Sequence, residues 1–175
     1  MRIQREMASA LLLLFPCLLA VRIHAQEKKI SQNELPAVVR EAFTRAYPHA
    51  NIRGTSMEVE KGVTYYEIES LDGTQSRDIL YRADGTVAEI EEAVAAGSLP
   101  GPVKSAVGKE FAGAKIAKAE KVTKGTAVSY EVHLSQGSKT GSIVVDPSGK
   151  ILTKSPLKEM KVKEEYEEEE EEEED

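Results

Sequence analysis

The chain has 175 residues, a formal net charge of −7, three histidines, no tryptophan and one cysteine. A single thiol excludes an internal disulfide and a cysteine-built zinc site. Charge is laid out in blocks: residues 26–97 hold eight basic and thirteen acidic residues (net −5), 98–163 twelve and five (net +7), and 164–175 eleven acidic residues around Tyr166 (net −11).

The chain opens with Arg2 and Arg5, an apolar run from Ala8 to Val21, and small Ala25 before polar Gln26. This pattern predicts a secretory signal peptide over 1–25, with Ala20 as a second cleavage position. An uncleaved N-terminal anchor is the alternative, although the run is shorter than the ~20 apolar residues that span a bilayer. Cys17 leaves with the signal. The localisation that follows is secreted or periplasmic, with no stable membrane span after processing.

The first predicted helix carries Val39, Phe43 and Tyr47 at four-residue spacing, widened by Leu35, Ala42 and Ala46. Pro36 is expected in its first turn, and Pro48 stops it. Four short strands follow, near 52–60, 63–71, 76–82 and 86–91. Turn signals at Lys61-Gly62, Asp72-Gly73 and Asp84-Gly85 separate them. Tyr66, Ile68 and Ser70 are expected on one face, and Tyr65, Glu67 and Glu69 on the other. A second helix follows, with Ser98 as its expected N-cap, Pro100 in its first turn and Val103, Val107 and Phe111 as its stripe. Gly113 ends it. Four more strands are predicted near 115–123, 127–135, 140–146 and 150–154, with Val128, Tyr130, Val132 and Leu134 pointing inward.

These two series are one series written twice. At an offset of 64, Leu35-Pro36 falls on Leu99-Pro100, Tyr47 on Phe111, Tyr66-Glu67-Ile68 on Tyr130-Glu131-Val132, and Gly85 on Gly149. The predicted fold class is therefore α+β: two tandem repeats, 26–97 and 98–163, each one helix packed on a four-stranded antiparallel sheet. Tyr66 and Tyr130 are the expected core aromatics beneath the helices. The stretch 164–175 cannot bury apolar surface and is predicted to be a disordered acidic tail, tethered electrostatically to the lysines of the second repeat.

Leu35-Pro36-x-x-Val39 opening a helix that ends in Ala46-Tyr47-Pro48 resembles the PepSY-like family. So do the hairpin Gly62-Val63-Thr64-Tyr65-Tyr66-Glu67-Ile68 and the closing Arg82-Ala83-Asp84-Gly85-Thr86-Val87. That group is similar in fold to the beta-lactamase-inhibitor protein. The resemblance covers 34–94 well and 98–155 more weakly, since Tyr-Pro becomes Phe111-Ala112. It implies an exported, non-catalytic domain that binds or inhibits other proteins, peptidases or other envelope enzymes among them. It carries no catalytic motif.

The residues themselves name no catalytic, cofactor or metal site. His49 and His133 are not equivalent in the repeat and show no HxH or HExxH spacing, so they read as surface residues. Asp72, Asp78 and Asp84 lack the ligand series of a calcium loop and read as turn residues. The serines sit in no nucleophile elbow. The carboxylate pairs Glu58/Glu60, Glu67/Glu69 and Glu89/Glu91 recur at i, i+2 and read as a solvated strand face. The basic second repeat is all lysine, without the arginine and exposed aromatics of nucleic-acid readers, so no nucleic-acid partner is expected. The reading is a non-enzymatic module with a protein partner, in which Tyr65 is the solvent-side aromatic. The alternative is a structural or cation-buffering envelope protein, its polyglutamate tail binding divalent cations weakly.

Overall fold

The computed structural model describes residues 27–159. The signal peptide, Cys17 and the acidic tail lie outside the described residues. Nine strands form one antiparallel sheet in strict chain order, β1 to β9. β1 (Lys28–Lys29) precedes α1 (Ala37–Ala46). β2 (Asn51–Glu60), β3 (Val63–Asp72), β4 (Gln75–Arg82) and β5 (Val87–Ala93) follow it. Then come α2 (Gly101–Glu110), β6 (Lys115–Lys124), β7 (Ala127–Gln136), β8 (Lys139–Val145) and β9 (Ile151–Glu159). The bounds of α1 and α2, of β2 and β6, and of β3 and β7 differ by 64.

Short connections dictate the meander. Lys61 and Gly62 both have positive φ, 51° and 81°, the mirror-image turn that matches strand twist and joins β2 to β3 directly. After β4, the Asp84 carboxylate accepts the Thr86 amide at 2.9 Å. After β8, the Asp146 carboxylate accepts the Ser148 and Lys150 amides at 2.9 and 3.0 Å. Both loops are Asx-type turns that satisfy the backbone locally.

The helices lie on one face. Around α1, Leu35, Val39 and Phe43 close on Ile68, Ile79 and Tyr81. Around α2, Leu99, Val103, Val107 and Phe111 close on Val132, Leu134, Ile143 and Val145. Two turns seat the helices. An added Cβ at Gly85 would stand 2.9 Å from the Val38 carbonyl oxygen, and one at Gly149 2.9 Å from that of Pro102, so only glycine lets the backbones touch.

Four expectations are corrected. The sheet is one continuous nine-stranded surface, because β5 pairs with β6 from Ile90↔Thr123 to Ala93↔Glu120, and β1 adds a strand. Ser98 does not cap α2. It ends a short 3-10 turn (Ala96–Ser98), and Pro100 is the N-cap, with extended φ and ψ of −54° and 146°. Pro36 likewise caps α1 from outside the first turn. The fully buried aromatic is Tyr81, 1% exposed, whereas Tyr66 and Tyr130 are half-buried at the margins of the two cores. Tyr66 faces Tyr81 across β3–β4, and Ile68 and Ile79 take the layer under Val39 and Phe43.

Candidate functional site

Alternation along the strands sends every second side chain to the sheet face away from the helices. No helix among the described residues packs on that face. Its residues line up in rows across the strands. One row is Glu58, Tyr65 and Arg82 (β2–β4). A second is Ser56, Glu67, Leu80, Glu89 and Lys124 (β2–β6). A third is Glu69, Asp78, Glu91, Val122 and Ser129 (β3–β7), and a fourth is Ala93, Glu120, Glu131 and Val144 (β5–β8). Over β3–β7 seven carboxylates therefore share the face with Arg82, Lys115, Lys118 and Lys124.

The centre of this face departs from a solvated strand surface. Glu89 is 7% exposed, Glu120 4% and Val122 6%. A carboxylate this deep needs a cation or hydrogen bonds to stay ionised. Lys124 reaches Glu89 at 2.8 Å and Lys118 reaches Glu120 at 2.8 Å. The two ammonium groups stay in water: the side chains of Lys118 and Lys124 are 55% and 59% exposed. Asp78, Glu91 and Glu120 offer carboxylate oxygens within 4.8 Å of one another. Burial works to lower the Lys118 pKa, but the hydrogen bond to Glu120 and the charges of Glu120, Asp78 and Glu91 together raise it. An ammonium thus serves a group of oxygens that could also hold a hard cation such as calcium.

At the rim, the Arg82 guanidinium stacks over the Tyr65 ring, 5.5 Å from its centroid. Ser56 donates to Glu67 at 3.1 Å. The Glu69 carboxylate folds onto Gly54, where a Cβ would meet its Cδ at 2.9 Å. His133 lies 3.3 Å from Glu131 on the same face, and His49 is exposed in the turn after α1, so the two histidines do not converge. Asp72 and Asp84 occupy turns, but Asp78 does not: it sits mid-strand in the carboxylate group.

On the helix side, Arg77, Glu92 and Lys121 stand in line across β4–β5–β6, with Arg77 Nε 2.9 Å and Lys121 Nζ 3.6 Å from Glu92. Tyr47 packs over Arg77 at 5.2 Å, and burial raises its hydroxyl pKa. This chain of contacts ties the first half of the sheet to the second. A groove of about 300 Å³ beside α2 is lined by Pro102, Ser105, Lys109, Ser148 and Gly149, without a convergent set of reactive groups.

Sequence reasoning found the face but not its centre. Glu120 carried no motif, and Glu89 read as one of many wet glutamates. The usable signal was Lys118-x-Glu120, a like-facing ion pair on a strand, together with a strand order that sets Glu91 beside it.

Comparison with known proteins agrees with this architecture. Among curated proteins, none matches the sequence. A periplasmic protein from Bacteroides eggerthii is 17% identical and has a TM-score of 0.60, the match covering 69% of this chain and 87% of that one. A DUF2874 family protein from Bacteroides uniformis is 17% identical with a TM-score of 0.59, covering 70% and 88%. A beta-lactamase-inhibitor-protein-like protein from Bacteroides fragilis is 18% identical with a TM-score of 0.55, covering 72% and 88%. At such identities the likeness is one of fold. The model of the beta-lactamase-inhibitor-like, PepSY-like family matches residues 21–87 and 64–153, so the chain belongs to the PepSY-like family.

Proposed function

We propose that this chain is an exported, non-catalytic module that binds a protein partner through the helix-free face of its sheet. One observation carries the reading: the face is built, not merely left over. Its central glutamates are nine-tenths buried and individually paired. Its rim presents Tyr65 held by Arg82, two residue types enriched among interface anchors. Apolar Leu80 and Val144, both part-exposed, lie between the charges, the mixed polar and apolar character of a transient interface.

Export rests on the leader pattern of residues 1–25, and on relatives that are themselves described as periplasmic. No helix among the described residues is long and apolar enough to cross a membrane. The offset of 64 between elements supports 26–97 and 98–163 as one unit used twice, fused through β5–β6. An inhibitory role toward an envelope enzyme is the specific form of binding that the family suggests.

The test is photo-crosslinking in a cell envelope fraction with the probe at position 80 or 144. A control probe replaces Val38, which is exposed on α1 at 48%. A discrete adduct from the sheet face and none from α1 is expected. Equal adducts from both positions, or none from either, refute the reading.

A further inference from the structure

The pairing of β5 with β6 joins two copies of one unit, and its two edges recur at the ends of the sheet. At the offset of 64, β6 corresponds to β2, and β5 to Ile151–Leu157 of β9. The pairing agrees: Ile79↔Ile90 and Asp78↔Glu91 on β4–β5 return as Ile143↔Lys154 and Ser142↔Ser155 on β8–β9. A third unit would therefore set its first long strand outside β9, and a preceding unit would set its last strand outside β2.

Among the described residues neither place is taken by such a strand. On β2 the place is held by β1. Lys28↔Met57 and Lys29↔Ser56 share the register of Glu92↔Lys121 and Ala93↔Glu120. The Ile30 amide donates to the Thr55 carbonyl at 3.0 Å, as the Val94 amide donates to the Ala119 carbonyl at 2.9 Å. Beyond β1, Val59 is left 50% exposed. On β9 the place is spoiled. The Val94 bond and the alternation of an antiparallel ladder turn the Glu92 amide toward β6. Its counterpart in β9 is Pro156, which has no N–H to give. The ion-pair line Arg77–Glu92–Lys121 is lost as well, since Gly141, Pro156 and Met57 stand in those positions. The β8–β9 register also shifts between Thr140 and Ser142, where a Cβ on Gly141 would meet the Ser155 carbonyl oxygen at 2.9 Å. A two-residue strand of lysines at one edge, with a proline and a bulge at the other, are devices that keep open edges from pairing.

We propose that the outer edges of β2 and β9 are the two halves of one joint, that the partner they fit is a second copy of this chain, and that β1 and Pro156 keep the joint from closing. In that joint β9 of one copy lies on β2 of the next, with Ser155 opposite Glu58 as Glu91 lies opposite Val122. Such a head-to-tail contact repeats from copy to copy and builds open chains. The caps therefore end the array at two units, as the atypical terminal units of repeat proteins do. The joint lies at the rims of the sheet and is independent of the helix-free face.

The experiment takes the chain purified after export, with Cys17→Ser, and compares it with Lys28→Pro, Pro156→Glu and the double variant. Sedimentation over a range of concentrations reads mass, and circular dichroism reads the fold. The parent and both single variants are expected to stay monomeric, since each keeps at least one cap. The double variant is expected to gain mass with concentration, by about twofold or more, because head-to-tail contacts propagate. The register is read by oxidising a mixture of two double-variant chains, one with Ser155→Cys and one with Glu58→Cys. Neighbours in a non-hydrogen-bonded antiparallel pair lie about 4.5 Å apart at Cα, within disulfide reach. A disulfide between positions 155 and 58 is expected. A folded double variant that stays monomeric overturns the proposal, and so does crosslinking of 155 to 155 in preference to 58. A parent that associates as readily as the double variant overturns the capping role, and the proposal with it. Should Lys28→Pro unfold the chain, Lys28→Gly with Lys29→Gly loosens β1 instead, and the same outcomes decide.

Discussion

Replacing Gly85 with alanine tests how the helices are seated on the sheet. Gly85 has φ of 83°, and a methyl group there would stand 2.9 Å from the Val38 carbonyl oxygen and 3.3 Å from its carbon. Two costs follow. Holding an L-residue in the left-handed region costs about 1–2 kcal/mol. Forcing the α1 backbone to give by a few tenths of an ångström adds about 1–3 kcal/mol, as overpacking does. Gly85→Ala should therefore cost about 2–5 kcal/mol, or roughly 4–20 °C in Tm for a chain of this size. Gly73→Ala separates the two terms. Gly73 has φ of 60° with open space around it, so only the conformational cost of about 1–2 kcal/mol applies. Urea unfolding followed by circular dichroism reads both variants, with an unchanged m-value showing that stability alone moved. Equal losses at Gly85 and Gly73 would refute the close contact between helix and turn. Gly149→Ala, 2.9 Å from the Pro102 oxygen, should repeat the Gly85 result if the two halves are built alike.

Three further outcomes follow from the packing and the turns. The Tyr81 hydroxyl is buried without a hydrogen-bond partner among the described residues, so Tyr81→Phe should be neutral or stabilising by about 1 kcal/mol, whereas Tyr81→Ala should cost about 3–5 kcal/mol and more than Tyr66→Ala. Chemical denaturation of the three variants measures this, and a clear loss in Tyr81→Phe would reveal a hidden partner. Ile79→Ala, at a fully buried position under α1, should cost about 2–5 kcal/mol; a loss below about 1 kcal/mol in the same assay would remove Ile79 from the core. Asp146 is held below the ordinary aspartate range, first by the Ser148 hydroxyl at 2.6 Å, and Asp84 likewise, first by the Thr86 amide. Because their folded pKa values are lowered, the stability they contribute is present above the unfolded value near ~4 and is lost as pH falls through the folded values. Carboxyl-carbon NMR titration should show Ser148→Ala moving the Asp146 midpoint upward, and an unmoved midpoint would exclude that hydrogen bond.

Much of this molecule was determined by local sequence. Val39 and Phe43 at helical spacing, Pro48 after the helix, and Lys61-Gly62 with two positive φ values each act within a few residues of chain. Helix α1 and the hairpin β2–β3 were therefore readable without the fold. The 64-residue offset was equally legible, since duplicated chain repeats its local rules. Tertiary structure decided what depends on which strands become neighbours. Alternation places Glu89 and Glu120 on the helix-free face, but it cannot tell a wet glutamate from a buried one. Only the pairing of β5 with β6 brings Glu91 beside Glu120 and sets Lys124 opposite Glu89. The same holds for Tyr81 against Tyr66: both alternate inward and stand opposite each other across β3–β4, yet only the Tyr81 ring is fully buried in the α1 core. Period is a property of one strand, whereas burial of a side chain is a property of the three strands and the helix that surround it.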